Sequence, residues 1–298
     1  MESIPDELYQ AGRVARRVKE EVYRLVRPGV NILDLAERVE SLIADNNARP
    51  AFPCNVGVNE VAAHFTPVTG YSEQLSAKSV VKVDFGVEID GYIADTAVTV
   101  TDEPLGDSMR LAAEEALRAA LKVARAGVRV SEIGAAIQGV VSRRGFKPIR
   151  NLTGHEIARF NLHAGVSIPN VETTDSYRLQ SGHVYAVEPF VTLPDGSGEV
   201  EAISDVTIFR VEPLRRPDRG LGGDDHRLLE QIDRMFRGLP YAERWLSSLG
   251  AEAMSIHQRL VKMGRIQGYP VLVEKKRMPV AQAEHTILVL TDGLEVLT

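Results

Sequence analysis

An α/β fold (in detail α+β) built from two similar halves is predicted by three features of this 298-residue sequence. Helical spacing and then strand-like patterning follow one another in the same order twice, the arrangement that lays helices on a sheet. The segments RPGVNILDLAERVESLI, from Arg27, and RAGVRVSEIGAAIQGVV, from Arg125, coincide in Arg, Gly and Val at their start and keep their apolar positions in step. Runs rich in Val and Ile flank an Asp90-Gly91 dipeptide, a strong signal for a tight hairpin. A helix entrance of this kind also matches by chance, so the duplication is an expectation.

Residues 5 to 26 carry Leu8, Ala11, Ala15, Val18, Val22 and Leu25 at helical spacing, and Pro28-Gly29 ends the run. Asn31 reads as the N-cap of a second helix, with Asp34 in its first turn and Leu35, Val39, Leu42 and Ile43 as its buried stripe. Strands are expected at 80 to 87 and 92 to 100. The second half follows with a helix from about 107 to 125, a stop at Gly127, a cap at Ser131 and a helix to Gly145, then strands near 183 to 193 and 199 to 211. Between Pro213 and Tyr269 a loop containing Gly and Arg leads into helical patterns near 226 to 237, 241 to 249 and 251 to 264. Val271 to Glu274, Gln282 to Leu290 and Leu294 to Leu297 return to β-rich sequence and complete the sheet. The expected division is a catalytic domain of residues 1–212 and 270–298, interrupted by a helical insertion at 213–269.

With 44% apolar and 26% charged residues, the chain has the balance of a folded globular protein. No apolar run approaches the ~20 residues of a membrane span, and MESIPDELYQAGRVARRVKEE is charged from its second residue, so neither signal peptide nor anchor is expected. Cys54 is the sole cysteine, which excludes an intrachain disulfide and suits a reduced, cytoplasmic setting. A net charge of −6 argues against a broad nucleic-acid surface; the basic stretches Arg13 to Arg17 and Arg215 to Arg219 read as solvated faces.

Acidic residues avoid apolar strands because burying an unpaired carboxylate is costly. Here Asp84 lies in VVKVDFGV, Asp95 in YIADTAVTV, Glu188 in HVYAVEPFV and Glu284 in AQAEHTILVL. Asp84 and Asp95 flank the Asp90-Gly91 turn, so an ordinary hairpin brings both carboxylates to one face. A single such acid commonly faces water or pairs with Lys or Arg. Four of them would require buried cationic side chains at each, whereas two divalent cations neutralise all four. His155, in NLTGHEIARFNLHAG, supplies the nitrogen ligand that distinguishes a transition-metal site from an all-oxygen cage, and Gly154 before it permits close backbone approach. His163 follows in the same motif, and His64 closes NVGVNEVAAHFTP.

Together FPCNVGVNEVAAHFTP, VDFGVEIDGYIADTAVTV, NLTGHEIARFNLHAG, AVEPF and AEHTILV resemble the methionine aminopeptidases, over nearly the whole chain and in the expected order. The helical insertion before AEHTILV resembles their type 2 class, in the compact form without a long charged N-terminal extension. The resemblance implies the pita-bread fold, in which pseudo-twofold halves surround a curved antiparallel sheet. It also implies a metal-dependent hydrolase that removes the initiator methionine from nascent polypeptides when the second residue is small. Two divalent ions (Co, Mn, Fe or Zn) are implied, with Asp95 and Glu284 bridging, Asp84 on one ion, and His155 and Glu188 on the other; the nucleophile is a hydroxide between them. His64 and His163 would contact substrate near the scissile bond, and Glu188 would shuttle the proton. Phe52, Leu162, Phe190 and Tyr269 would line the methionine pocket. The implied partners are nascent N-termini and the ribosome, with no nucleic acid or membrane required, and the implied state is a monomer.

Other candidates are set aside. Asp205, in EAISDVTIFRV, echoes YIADTAVTV, but its role falls to Glu284. Glu88 and Asp90 read as solvated turn residues, and Cys54 as a small buried hydrophobe. Gly222-Gly223-Asp224 lacks the strand-then-helix context of a phosphate cradle. His183, His226, His257 and His285 receive no chemistry, and His285 is expected to point to the opposite side of its strand from Glu284. Two rival readings remain open: a proline-directed aminopeptidase on the same fold, and a noncatalytic binding protein on the scaffold.

Overall fold

The computed structural model describes residues 4–211 and 220–298. The basic stretch 215–219 and the start of the expected insertion at 213 lie outside these. Helix α1 (Asp6–Leu25) and helix α2 (Ile32–Asp45) form as their spacing predicts, and the Asn31 side chain caps α2 by accepting from the backbone N–H of Leu33 and Asp34. Strands β1 (Asn55–Val58), β2 (Val81–Ile89) and β3 (Tyr92–Val100) pair antiparallel, with β2 in the middle. Asp90 and Gly91 both take positive φ, as a two-residue hairpin turn demands. Glu88 departs from expectation: it is buried, and its carboxylate accepts from the Gly91 N–H, bracing the turn from inside.

The second half opens with helix α3 (Pro104–Val123) and helix α4 (Val130–Arg143). Pro104 sets the earlier start of α3, since a proline in the first turn gives up no intrahelical hydrogen bond. Ser131 is not the cap of α4. That position belongs to Arg129, whose backbone N–H is held by the Glu132 carboxylate. Strand β4 (Thr153–Ile157) pairs with β5 (Val184–Val187), and β6 (Phe190–Thr192) follows. Sequence patterning merges β5 and β6 into one strand. Proline cannot donate to a ladder, and the chain changes sheets at Glu188-Pro189. Strand β7 (Val200–Val211) pairs with β8 (Ile266–Glu274), which begins at Ile266, before the expected Val271. Strand β9 (Val280–Gln282) pairs with β6, and β10 (His285–Leu290) lies between β5 and β11 (Gly293–Val296). Here too an expected single strand splits, at Ala283-Glu284.

The repeat seen in the sequence is present in the hydrogen bonding. Gly29 N–H donates to Leu75 O at 2.8 Å and Leu75 N–H to Val30 O at 2.8 Å; in the second half Gly127 donates to Leu179 O at 2.8 Å and Leu179 to Val128 O at 2.9 Å. Both glycines take φ of +84°, which explains why Arg-x-Gly-Val recurs. Each half packs its helix pair on its own part of the curved sheet, burying one cluster around Val18, Leu35, Val39 and Phe85 and another around Ala116, Ile133, Ile137 and Tyr185. Between Val211 and Ile266, helix α5 (Gly223–Phe236), a 3₁₀ turn (Glu243–Leu249) and helix α6 (Gly250–Lys262) enclose a third core with Phe209, Tyr241 and Leu260.

Two buried charges fix loops that border the sheet's concave face. Lys82 on β2 points away from water and donates to the carbonyls of Asn59 at 2.9 Å and Val280 at 2.8 Å, tying the turn after β1 to β9. Arg244 in the 3₁₀ turn pairs with Glu40 of α2 and donates to Thr66 Oγ1 at 2.8 Å. Glu40 also accepts from Trp245 Nε1 at 2.9 Å and from the Cys54 N–H at 3.0 Å. Cys54 itself is fully buried, in agreement with its reading as a small hydrophobe.

Candidate metal centre

Strand register sets the site. In the β2–β3 hairpin Asp84 faces Ala97 and Gly86 faces Asp95, so the two aspartates are diagonal neighbours on one face. His155 on β4 lies opposite Ala186 on β5, which lies opposite Thr286 on β10. Alternation then carries Glu188, two residues beyond Ala186, and Glu284, two before Thr286, to that same face. Both glutamates sit where the chain passes between sheets. The two crossings meet through the Ala283 N–H donating to Pro189 O, and the Glu284 N–H donates to Ala97 O of β3, each at 3.2 Å. Gly154 allows this packing, since a Cβ there would stand 2.2 Å from Ala186 O. The close approach expected at Gly154 is thus made by a neighbouring strand.

All eleven residues singled out from the sequence line one cavity of about 110 Å³: Asp84, Asp95, His155, Glu188, Glu284, His64, His163, Phe52, Leu162, Phe190 and Tyr269. His155 Nε2 is 3.6 Å from Asp95 Oδ2 and 3.6 Å from Glu188 Oε1. Asp95, His155 and Glu284 each present one donor atom, and these three atoms lie within 4.8 Å of one another. No Lys or Arg among the described residues pairs with any of the four acids. Asp84 Oδ1, Asp95 Oδ1 and Glu284 Oε2 are buried without a hydrogen-bond partner. Unpaired, hard oxygen donors beside one imidazole fit divalent first-row ions.

Electrostatics agree with that fit. Burial raises the Asp84 carboxyl to about 7. Asp95, Glu188 and Glu284 are raised well above the ordinary carboxylate range, by burial first and then by the charge of neighbouring acids: Asp84 on Asp95, Asp84 and Asp95 on Glu188, and Asp95, Glu188 and Asp84 on Glu284. Burial, with His163 beside it, lowers His155 to about 3, so its ring is neutral and free to donate a lone pair. Protons or metal cations must compensate four acids so placed.

The remaining residues flank this group. The His163 ring lies 4.4 Å from that of His155 between centroids, and burial lowers its pKa to about 4. His64 takes a left-handed φ of +65°, its Nδ1 is 3.2 Å from Pro270 O, and its ring meets the Tyr269 ring edge-on at 5.6 Å. Phe52 packs where Gly86 leaves room, since a Cβ there would stand 2.5 Å from the Phe52 ring.

Some of the lining was not identified from the sequence. Asn55, Thr153, Ile208 and Pro240 also face the cavity, and Gln282 reaches the acids from β9. Thr153 and Gln282 lie two residues before His155 and Glu284, so strand alternation was a usable signal for both. Nothing in the sequence pointed to Ile208 or Pro240, which arrive from β7 and from the segment after α5. Asp205 is exposed, and His285 turns to the back of the sheet, both in line with their being set aside.

Comparison with known proteins places this arrangement. The sequence pattern of metallopeptidase family M24 matches residues 6–210. The chain is 46% identical to the methionine aminopeptidase of Pyrococcus horikoshii, covering 98% of this chain and 99% of that one, and 40% identical to that of Saccharolobus solfataricus, covering 98% and 97%. Among solved structures the fold is similar to a thermophilic Arx1 (TM-score 0.85, 17% identity, 98% of this chain and 89% of that one). It is also similar to the methionine aminopeptidase of Thermotoga maritima (TM-score 0.70, 23% identity, 99% and 98%). The pita-bread fold expected from the sequence is thereby established, and the chain belongs to the methionine aminopeptidases of metallopeptidase family M24.

Proposed function

We propose that this chain hydrolyses the first peptide bond of polypeptides that begin with methionine and carry a small second residue, as a type 2 enzyme. The observation that carries the reading is one cavity lined both by four acids, three of them buried and Asp84 half-buried, with His155 beside them, and by Phe52, Leu162, Phe190 and Tyr269. Asp84, Asp95, His155, Glu188 and Glu284 would hold two divalent ions (Co, Mn, Fe or Zn). Such ions activate water at neutral pH and polarise the carbonyl it attacks.

The chain's own residues do the rest. The apolar wall takes the thioether, for which sulfur–aromatic contact is worth about 0.3–1.5 kcal/mol. The acids attract the free α-amine, which selects a chain end over an internal bond. Glu188, beside the scissile bond, would take up the proton released by the attacking water and pass it to the leaving amine. His163 is neutral and donates an N–H to the carbonyl oxygen as charge develops there. His64 donates from Nδ1 to Pro270 O, which orients its ring toward the scissile bond.

The insertion, residues 213–269, is proposed as a subdomain that closes one side of the cavity through Pro240 and Tyr269. We further propose that the enzyme acts as a monomer in the cytoplasm on nascent chains at the ribosome. No helix of the described residues is long and apolar enough to cross a membrane.

The test is methionine release from Met-Ala and Met-Gly peptides by protein loaded in turn with Co(II), Mn(II), Fe(II) and Zn(II). Release from these peptides and little from Xaa-Pro substrates is the expected result. Preferential cleavage before proline would favour the prolidase-like reading, and no turnover with any metal the binding-protein reading.

A further inference from the structure

Alternation places the residue after each front-facing acid on the back of the sheet. Thr96 follows Asp95, His285 follows Glu284, and behind the sheet both meet the Lys19 ammonium from α1. Lys19 Nζ lies 3.4 Å from Thr96 Oγ1 and 3.3 Å from His285 Nδ1. An ammonium carries three hydrogens. This one has two neutral partners at long range, and no carboxylate among the described residues forms an ion pair with it.

Lys19 opens into a furrow of about 290 Å³ between α1 and α3. Leu117 and Leu121 form an apolar wall, and Tyr23 and Arg118 stand with them along the lining. Glu114 also lines the furrow, its oxygens engaged by Arg110 at 2.5 Å and Arg118 at 3.8 Å; Glu284 and Glu114 favour the Lys19 charge from beyond ion-pair distance, and no carboxylate among the described residues is in contact with it. Glu284 borders both this furrow and the front cavity, so the two spaces are separated by little more than the sheet.

We propose that the furrow is a second binding site, for a small carboxylate with a short apolar tail. Its carboxylate accepts charge-assisted hydrogen bonds from Lys19 and Arg118, and its tail lies on Leu117 and Leu121. The site stands on the back-face geometry alone and is independent of the reaction at the front. An anion bound there offsets a positive charge directly behind the strands that carry Asp95 and Glu284.

The experiment is an NMR titration of the Zn(II)-loaded full chain with butyrate, following the His285 and His163 ring resonances, with butylammonium as the charge control. The expected result is a saturable shift of His285 with a dissociation constant of about 1 mM, weakened roughly tenfold or more in Lys19→Met and absent with butylammonium. Arg118→Gln, on an exposed side chain, weakens it by a smaller factor and serves if Lys19→Met does not fold. Butyrate shifting His163 alone would show binding only at the front and overturn the proposal. So would an unsaturable His285 shift, one shared by butylammonium, or one unchanged in both variants.

Discussion

Gln282 Nε2 lies 3.3 Å from Glu188 Oε2, and its amide also reaches Asp84 Oδ2 at 3.4 Å. One neutral side chain, fully buried, thus spans acids proposed for different ions. It is held by a reciprocal pair of 2.8 Å bonds between its backbone and Thr99 Oγ1. Replacing it with leucine should therefore lower metal affinity by about 10- to 100-fold, the usual cost of losing a supporting residue, with the fold retained. Isothermal titration with Mn(II) measures it; wild-type affinity in Gln282→Leu would rule out this role.

Removing a proposed metal ligand should separate function from stability. Asp84→Asn and Glu284→Gln each delete a charge from a buried group of like charges, so the metal-free variants should unfold at higher temperature than the metal-free wild type. Activity should fall by more than the ~100-fold upper cost of losing a supporting residue. Thermal unfolding with EDTA and metal content after dialysis check both halves of this expectation.

The third core contains a titratable switch on stability. His257 is buried, its Nε2 lies 3.0 Å from the Tyr241 hydroxyl, and burial lowers its pKa to about 4. Glu243 Oε1 lies 3.8 Å from Nδ1, and burial is the cause of the shift. A histidine whose folded pKa is depressed contributes stability above its unfolded pKa of about 6.5 and loses it as pH falls toward 4. Wild type should therefore lose up to about 1.4 kcal/mol per pH unit more than His257→Gln between those limits. Parallel unfolding curves for the two proteins across that range would contradict this.

The Arg244–Glu40 pair docks the 3₁₀ turn on the first half. Arg244→Met leaves a buried carboxylate with only Trp245 and the Cys54 N–H, and should cost about 3–5 kcal/mol in urea unfolding. Because Cys54 precedes Asn55 at the cavity, the same variant should raise KM for a Met-Ala peptide more than it lowers kcat. Glu40→Gln added to Arg244→Met should cost little more, since the charge left unpaired is then gone.

The candidate site was legible in the sequence because it breaks a rule of burial: Asp84, Asp95, Glu188 and Glu284 stand in apolar strands where acids are costly, and they line one cavity. Period-two alternation and a two-residue turn are enough to put Asp84 and Asp95 on one face. The first two helices and the duplicated Arg-x-Gly-Val entrance were equally clear, the last because only glycine adopts the required +84° φ at low cost.

The tertiary structure decided what depends on partners distant in the chain. The interruptions at Glu188-Pro189 and Ala283-Glu284 arise where strands exchange neighbours, which local propensity does not encode. Glu88 became buried because an N–H across its own turn satisfied it, whereas composition marks a turn acid only as polar. Ile208 and Pro240 reached the cavity, and Lys19 its back, through packing of segments from both halves and the insertion. A sequence states which side chains need compensation; only the folded chain determines which atoms provide it.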